Sequence, residues 1–405
     1  MQAATRRDWL RLVTRLGLAT LSASSAELAQ AADKPPVFIG LDAEFGHKTS
    51  TSAQAVQQGM QIAMDEINQA GGVLDGRKLE LLISDNRSIP AIGVDNLKRM
   101  ASQADLVGVF GAKFSPVIIE WIPVAQELEL PIFAAWSSAD EITEHDYNPS
   151  YCFRLSLKDA WAAPALLRFA VKERHARRVG LLLANLSWGR SNQAAIHKAA
   201  KRLGVGIVGE RWFNAGETSL LALYQDLRNS GAQAVILVAN EIEGSLLIRE
   251  IAALPAEQRL PIISHWGVTG GDFVRLTGAA LGKVDLSVVQ TYSFIDDPSP
   301  AARRVLAALK ARYGVNDAKA LQSPVGVAHA YDLTHLLARA IDKAGSADRR
   351  KIRDALERLE PYDGLVRYYA QPFSATRHDA LSPEQVFMAR YAEDGSLVRI
   401  PWSKP

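Results

Sequence analysis

A single cysteine, Cys152, stands in the 405 residues. No disulfide can form within the chain, so its stability has to come from a packed core. The same scarcity rules out a thiolate metal site. No apolar run approaches the roughly 18 uninterrupted residues that cross a bilayer. Neither sign of charge dominates, with 46 Lys and Arg against 44 Asp and Glu. There is no basic stripe of the kind that follows a phosphate backbone, so nucleic acid is not an expected partner. The eight histidines (47, 145, 175, 197, 265, 329, 335 and 378) are scattered, and none falls in a metal-binding spacing such as HExxH. GxxxxGK[ST] and GxSxG are absent. Gly204-Val-Gly206-Ile-Val-Gly209 has the dinucleotide spacing, but it leads from a helical stretch into a strand, the reverse of what a pyrophosphate site needs. No Ser/His/Asp set assembles. No catalytic residue, metal or cofactor is therefore expected.

What is present begins with a processing segment. Thr5-Arg6-Arg7-Asp8-Trp9-Leu10-Arg11 resembles a twin-arginine export motif, a modestly apolar stretch follows, and Ala29-Gln30-Ala31 has the small-x-small form of a cleavage site. Residues 1–31 are expected to be an export signal. Their removal takes away four arginines and two acids, so the formal charge falls from +2 to 0. Cys152 lies too far from this segment to carry an N-terminal lipid. The expected product is a soluble, unanchored protein of the periplasm.

From Pro36 onward, apolar runs alternate with amphipathic helical stretches. The runs 37–43, 79–85, 106–112 and 130–136 read as strands, with helices near 52–70 and 116–128 between them. A second series, 178–186, 205–213, 234–240, 261–267 and 284–292, starts after Cys152. Their near-continuous apolar character suits parallel strands covered on both faces. The expected fold class is α/β, with two doubly wound parallel-sheet lobes and a seam near 152–158. Helical stretches follow at 300–313, 324–344 and 348–359, and the end turns to β character in 366–373 and 386–400, where Asp394-Gly395 signals a hairpin.

Three helix entrances after strand ends draw attention. Ser115-Pro116 places a hydroxyl and a proline where a helix starts, Ser138 and Glu141 have capping-box spacing, and Asp159 stands where a further helix begins. Each could be a cap and nothing more. All three lie on the edge of an α/β sheet where ligands collect, and free N–H groups at a helix start suit a carboxylate. Trp136, Trp188 and Trp266 fall at strand ends, and Trp161 just inside a helix entrance, as the walls of a partly apolar pocket would.

In FIGLDAEFG (38–46), DEINQAGGVLDGRKLEL (65–81), VFGAKFSPV (109–117), LPIFAAWSSADEIT (130–143), CFRLSLKDA (152–160) and LLANLSWGRSNQAAI (182–196), and through AVILVANEIEGSLLIREI (234–251), the chain resembles the periplasmic solute-binding proteins of ABC importers, in the leucine/isoleucine/valine-binding branch. The resemblance implies two lobes joined by a three-strand hinge with the ligand between them. Lobe one would be 36–156 plus 291–362, and lobe two 157–290 plus 363–405. It implies that Ser115 holds a ligand carboxylate, that Ser138 adds a second hydroxyl, and that Asp159 faces an ammonium. Trp188, Asn240 and Glu241 would complete the site, with Trp136 as a wall. At Ser264-His265-Trp266-Gly267 the chain departs from relatives that bind aliphatic amino acids, which carry an acid where Trp266 stands. Unless Glu241 replaces it, an ammonium loses one counter-charge, and an aromatic or other apolar carboxylate fits the tryptophans better. His47 and Lys48 in the first loop also depart from the usual turn. The expected partners are a small ligand and the permease subunits of an importer, with the chain acting as a monomer. A sensor handing ligand state to a membrane receptor or kinase is the alternative.

Overall fold

The computed structural model describes residues 34–295 and 297–402. The expected export signal over 1–31 lies outside them. The first three strands run parallel to their neighbours: β1 (Val37–Ala43) pairs in unbroken register with β2 (Leu79–Asp85) and, with one register shift between Phe38 and Ile39, with β3 (Leu106–Gly111). Short strands β4 (Ile132–Ala134) and β5 (Cys152–Arg154) extend the sheet, giving the order β2-β1-β3-β4-β5. Helices α1 (Ser52–Gln69), α2 (Pro90–Ala101) and α3 (Ser115–Glu127) connect the strands. This parallel, helix-connected pattern is why the strands read as apolar runs without alternation.

The second sheet has seven strands. β6 (Arg178–Ala184), β7 (Gly206–Phe213), β8 (Ala234–Val238), β9 (Ile262–Ser264) and β10 (Leu286–Gln290) are parallel, and they are linked by α4 (Asp159–Glu173), α5 (Ser187–Leu203), α6 (Leu221–Asn229), α7 (Glu241–Ala252) and α8 (Phe273–Thr277). Helices α9 (Pro300–Tyr313), α10 (Pro324–Ala344) and α11 (Arg349–Leu356) follow, and then a small hairpin of β11 (Tyr362–Asp363) and β12 (Tyr368–Tyr369). β13 (Phe387–Tyr391) and β14 (Leu397–Arg399) complete the second sheet in the order β14-β13-β10-β9-β8-β6-β7. These last two strands are antiparallel, so the second sheet is mixed rather than wholly parallel. β13 enters antiparallel to β10, and the turn at Asp394-Gly395 reverses β14 against β13: Gly395 takes φ +81°, and the Ala392 N–H closes onto Ser396 O at 2.8 Å. A hairpin can only return antiparallel.

The chain crosses from the first sheet to the second after β5, back after β10, and across again before β13. Beyond residue 362, Tyr369, Phe373, Ala380 and Leu381 still pack in the apolar cluster of β1, β3 and α10. The last crossing therefore lies at about 382–386, just before β13. Helices α1 and α10 touch backbone to backbone. A Cβ at Gly59 would sit 2.2 Å from the Val327 carbonyl oxygen, so only glycine allows this approach.

Asp42, near the end of β1, is fully buried and accepts from the side-chain amides of Asn86 (3.1 Å) and Asn96 (2.7 Å). Burial pushes its carboxyl up to about 7, against the pull of those two amides. The folded chain thus keeps a proton that an unfolded chain releases near pH 4, so stability falls as pH rises through this window. Each pH unit of it is worth about 1.4 kcal/mol. Melting curves from pH 5 to 8 are expected to show a falling Tm, and Asp42→Asn to flatten that fall. Equal slopes in the two proteins would contradict the buried proton.

Candidate functional site

In both sheets the loops at the C-terminal ends of the strands face one another across the crossings. A narrow cavity lies between them, lined by residues that follow β3, β4, β6, β8 and β9. Wider, more open depressions exist elsewhere: two carry no loop of the five-stranded sheet, and two that border both halves of the fold carry no tryptophan. The tryptophan-lined cavity gathers segments that follow five strands of the two sheets, as ligand crevices of α/β sheets do.

Six of the eight residues singled out from the sequence line it: Ser115, Trp136, Ser138, Trp188, Asn240 and Trp266. Asp159 and Glu241 do not. Ser115 is the first residue of α3 and is 2% exposed. It does not cap its own helix. Its Oγ accepts instead from the Ala139 N–H at 3.3 Å, which leaves the hydroxyl proton free. Nor does the capping box expected at Ser138 and Glu141 form, because the short 3-10 turn Asp140–Ile142 begins two residues after the serine. The Ser138 Oγ accepts from Trp188 Nε1 at 3.0 Å, so its proton too is free. Both serines serve bonds between loops rather than helix caps.

The tryptophans form one cluster. Trp136 and Trp266 lie 5.5 Å apart at 45°, and each is 1% exposed. Trp188 meets His265 edge-on at 5.0 Å. The packing depends on Gly267, where a Cβ would come within 2.4 Å of the Ala239 carbonyl oxygen and 2.6 Å of Trp188 Cη2. His329 sits against Trp266 at 5.9 Å. Burial pulls its imidazolium down to about 3, and it bridges Ala135 O and Thr291 Oγ1 at 3.1 and 3.0 Å as a neutral ring.

The two acids are occupied. Asp159, the first residue of α4, is fully buried, with His265 Nε2 3.1 Å from its Oδ1. His265 Nδ1 accepts the Trp266 N–H at 2.9 Å, so a neutral ring must carry its proton on Nε2, toward the carboxylate. The approach is off the line of a well-formed hydrogen bond, and both Asp159 oxygens lack an aligned donor. Glu241, the first residue of α7, pairs with Lys113 Nζ at 2.7 Å. His47 and Lys48 lie elsewhere, on an open depression with Asp85 and Arg87.

Sequence reasoning passed over His265 and Lys113. His265 was visible in the Ser264-His265-Trp266-Gly267 turn, but no local signal pairs it with Asp159, more than a hundred positions away. Lys113 precedes Ser115 by two positions and reads as an ordinary solvated charge. Among the described residues no group of His, Cys, Asp and Glu is arranged to hold a metal. Cys152 is buried and its thiol is pushed up to about 12 by that burial, which leaves it unreactive. No helix among the described residues is long and apolar enough to cross a membrane.

Comparison with known proteins agrees with this architecture. A leucine-, isoleucine-, valine-, threonine- and alanine-binding protein of Pseudomonas aeruginosa is 23% identical over 346 residues, covering 85% of this chain and 87% of that one. A type 1 periplasmic binding protein from Bordetella pertussis superposes with a TM-score of 0.80 at 20% identity, covering 91% of this chain and all of the other (100%). A solute-binding protein of an ABC transporter from Rhodopseudomonas palustris, solved with 3,4-dihydroxybenzoic acid, gives a TM-score of 0.74 at 18% identity, with 91% and 96% covered. The model of the periplasmic binding protein family matches residues 36–396, and the chain belongs to that family, in the Leu/Ile/Val-binding branch of ABC-transporter substrate-binding proteins, which bind solutes and are not enzymes.

Proposed function

We propose that this protein captures a small carboxylate-bearing solute, amino acid-like or aromatic, between its lobes and delivers it to a membrane permease. The export signal read over 1–31 would place it in the periplasm, acting as a monomer. One observation carries the ligand class: hydroxyl protons of Ser115 and Ser138, each left free by the bond its oxygen accepts, meet at the start of α3 in a tryptophan-lined cavity. A helix N-terminus and two neutral donors favour an anion, and the Lys113 charge in the same wall is paired with Glu241. Ligands named for relatives point two ways, to aliphatic amino acids in the Pseudomonas aeruginosa protein and to an aromatic acid in the Rhodopseudomonas palustris one.

Ser115→Ala is the direct test. A hydrogen bond to a charged group is worth about 1.5–3 kcal/mol, so the dissociation constant of a bound carboxylate is expected to rise roughly tenfold to a hundredfold by titration calorimetry. The circular dichroism spectrum should not change, because the Ser115 side chain caps no helix. Parent-like affinity in this variant would rule out the clamp.

A further inference from the structure

We infer that the loop after β1 is a strap that holds the two lobes closed with no solute bound, so that entry of a solute waits on its parting. The inference rests on the two-lobed fold, and the chemistry of the solute does not enter it.

The loop reads Thr49-Ser50-Thr51-Ser52, and it lies against Thr269-Gly270-Gly271-Asp272, which follows β9 of the second sheet. Ser50 and Gly271 form an antiparallel bridge. Across it the Thr51 N–H donates to the Gly270 carbonyl at 3.0 Å, and the Asp272 N–H to the Thr49 carbonyl at 2.8 Å. Pairing of this kind joins neighbouring strands within a sheet; here it joins two lobes. A third bond comes from the residue before α10, where Ser323 Oγ donates to Thr269 O at 3.0 Å and accepts from Thr51 Oγ1 at 2.5 Å. Ser323 takes φ +56°, a conformation uncommon outside glycine. Every donor and acceptor in this set belongs to the protein, so no solute is needed to complete it.

Each side of the strap is braced within its own lobe. Glu44, 1% exposed, accepts from Ser50 Oγ at 3.1 Å and from Ser52 Oγ, which sets the loop before it meets its partner. Two pieces ordered in advance lose little freedom on pairing. On the other side, a Cβ at Gly271 would lie 2.3 Å from Glu241 Cγ and 2.4 Å from Thr49 O. Gly271 itself is extended, at φ −161° and ψ −169°, where any residue can sit. Its missing side chain therefore serves the approach of the strap and not the local backbone. The strap also rests on the wall of the cavity: Lys113 Nζ donates to Gly270 O at 3.2 Å, and Thr49 Oγ1 to Glu241 Oε1 at 3.2 Å. Within that wall Lys113, Ser115, Trp136, Ser138, Trp188 and Trp266 are each at most 7% exposed. Nothing of solute size enters until the lobes part.

The test is hydrogen–deuterium exchange on the mature protein, refolded from urea to free it of any solute, with X-ray scattering on the same samples. Peptides spanning 47–52 and 268–273 are expected to exchange on the order of 100-fold more slowly than an open loop. In Gly271→Ala both should exchange about tenfold faster than in the parent, with a larger radius of gyration, while β1 and β9 keep the parent's rates. Asp272→Pro is a second, independent variant. Asp272 has φ −79° and follows an extended residue, so proline fits the backbone there and removes the N–H that reaches Thr49. Its 47–52 peptide should speed up by a similar factor. Parent segments that exchange as fast as an open loop overturn the inference, because the strap then does not form without solute. Parent-like exchange in both folded variants overturns it as well. So does faster exchange at an unchanged radius of gyration, since the strap would then not be what holds the lobes. None of these outcomes bears on the carboxylate reading, because no solute enters the experiment.

Discussion

Replacing Arg154 with methionine is expected to cost about 3–5 kcal/mol of folding stability. Arg154 lies in β5 and is fully buried. Its Nε donates to Asp379 at 2.6 Å, Nη1 to the Ala139 carbonyl at 2.7 Å and Nη2 to Thr143 Oγ1 at 2.6 Å. Its backbone pairs on both sides with the returning chain, N–H to His378 O and carbonyl to the Ala380 N–H, each at 2.8 Å. One side chain therefore ties the last crossing of the chain to the loop that carries Ser138. Methionine fills much of the same space but leaves the Asp379 carboxylate with only Lys158, 3.3 Å away and 9% exposed, as a charged partner. Burial alone would raise the Asp379 carboxyl, yet Arg154 and Lys158 more than offset it and hold it below the usual carboxylate range. A carboxyl depressed in the folded state contributes stability above its unfolded value near 4 and loses it as pH falls through the folded one. Urea unfolding should thus show the full difference between parent and Arg154→Met at neutral pH, and a smaller one at about pH 3. A loss below about 1 kcal/mol at neutral pH would mean that the bridge is dispensable.

The parts of this molecule that could be read from its sequence are those whose cause is local. VFIGLDA over 37–43 is a strand within those limits because a parallel strand covered on both faces is largely apolar, and LELLISD over 79–85, the partly exposed edge strand beside it, keeps enough apolar residues to read as one. The same logic found α9 and α10, each opened by a proline and closed by a left-handed glycine, Gly314 and Gly345. β5 went unread as a strand because three residues carry no period, and its pairing with β4 and the 378–380 segment is wholly non-local. At the site, the turn positions of Ser115, Trp136 and Trp188 could be placed because strand ends fix them. The fate of the acids could not. Whether Asp159 meets a ligand or His265, and whether Glu241 meets a ligand or Lys113, depends on how two separately folded sheets come together, and no spacing along the chain encodes that contact.

Lys113→Met is expected to open the lobes. Lys113 follows β3 in the first sheet, whereas Glu241 and Gly270 lie in segments that follow β8 and β9 of the second, so the pair at 2.7 Å spans the cleft. Both side chains are 3% exposed. The Lys113 ammonium also donates to Gly270 O at 3.2 Å, and the Thr51 N–H reaches the same carbonyl at 3.0 Å. With the lobes apart, water hydrates each ion; with them closed, each ion has the other as its charged partner. Removing the lysine strands the Glu241 carboxylate, a penalty of about 3–5 kcal/mol that the protein avoids by staying open. Apparent affinity falls with the closed fraction, at about tenfold per 1.4 kcal/mol, so carboxylate binding should weaken at least about 100-fold. X-ray scattering should report a larger radius of gyration for the unliganded variant than for the parent. The double variant Lys113→Met/Glu241→Leu separates a clasp from a ligand contact. If Glu241 serves only Lys113, replacing both with apolar groups restores closure and most of the affinity, as paired removal of buried ions commonly does. If Glu241 holds the solute itself, the double variant binds no better than the single one, and the carboxylate at the head of α7 belongs to the ligand after all.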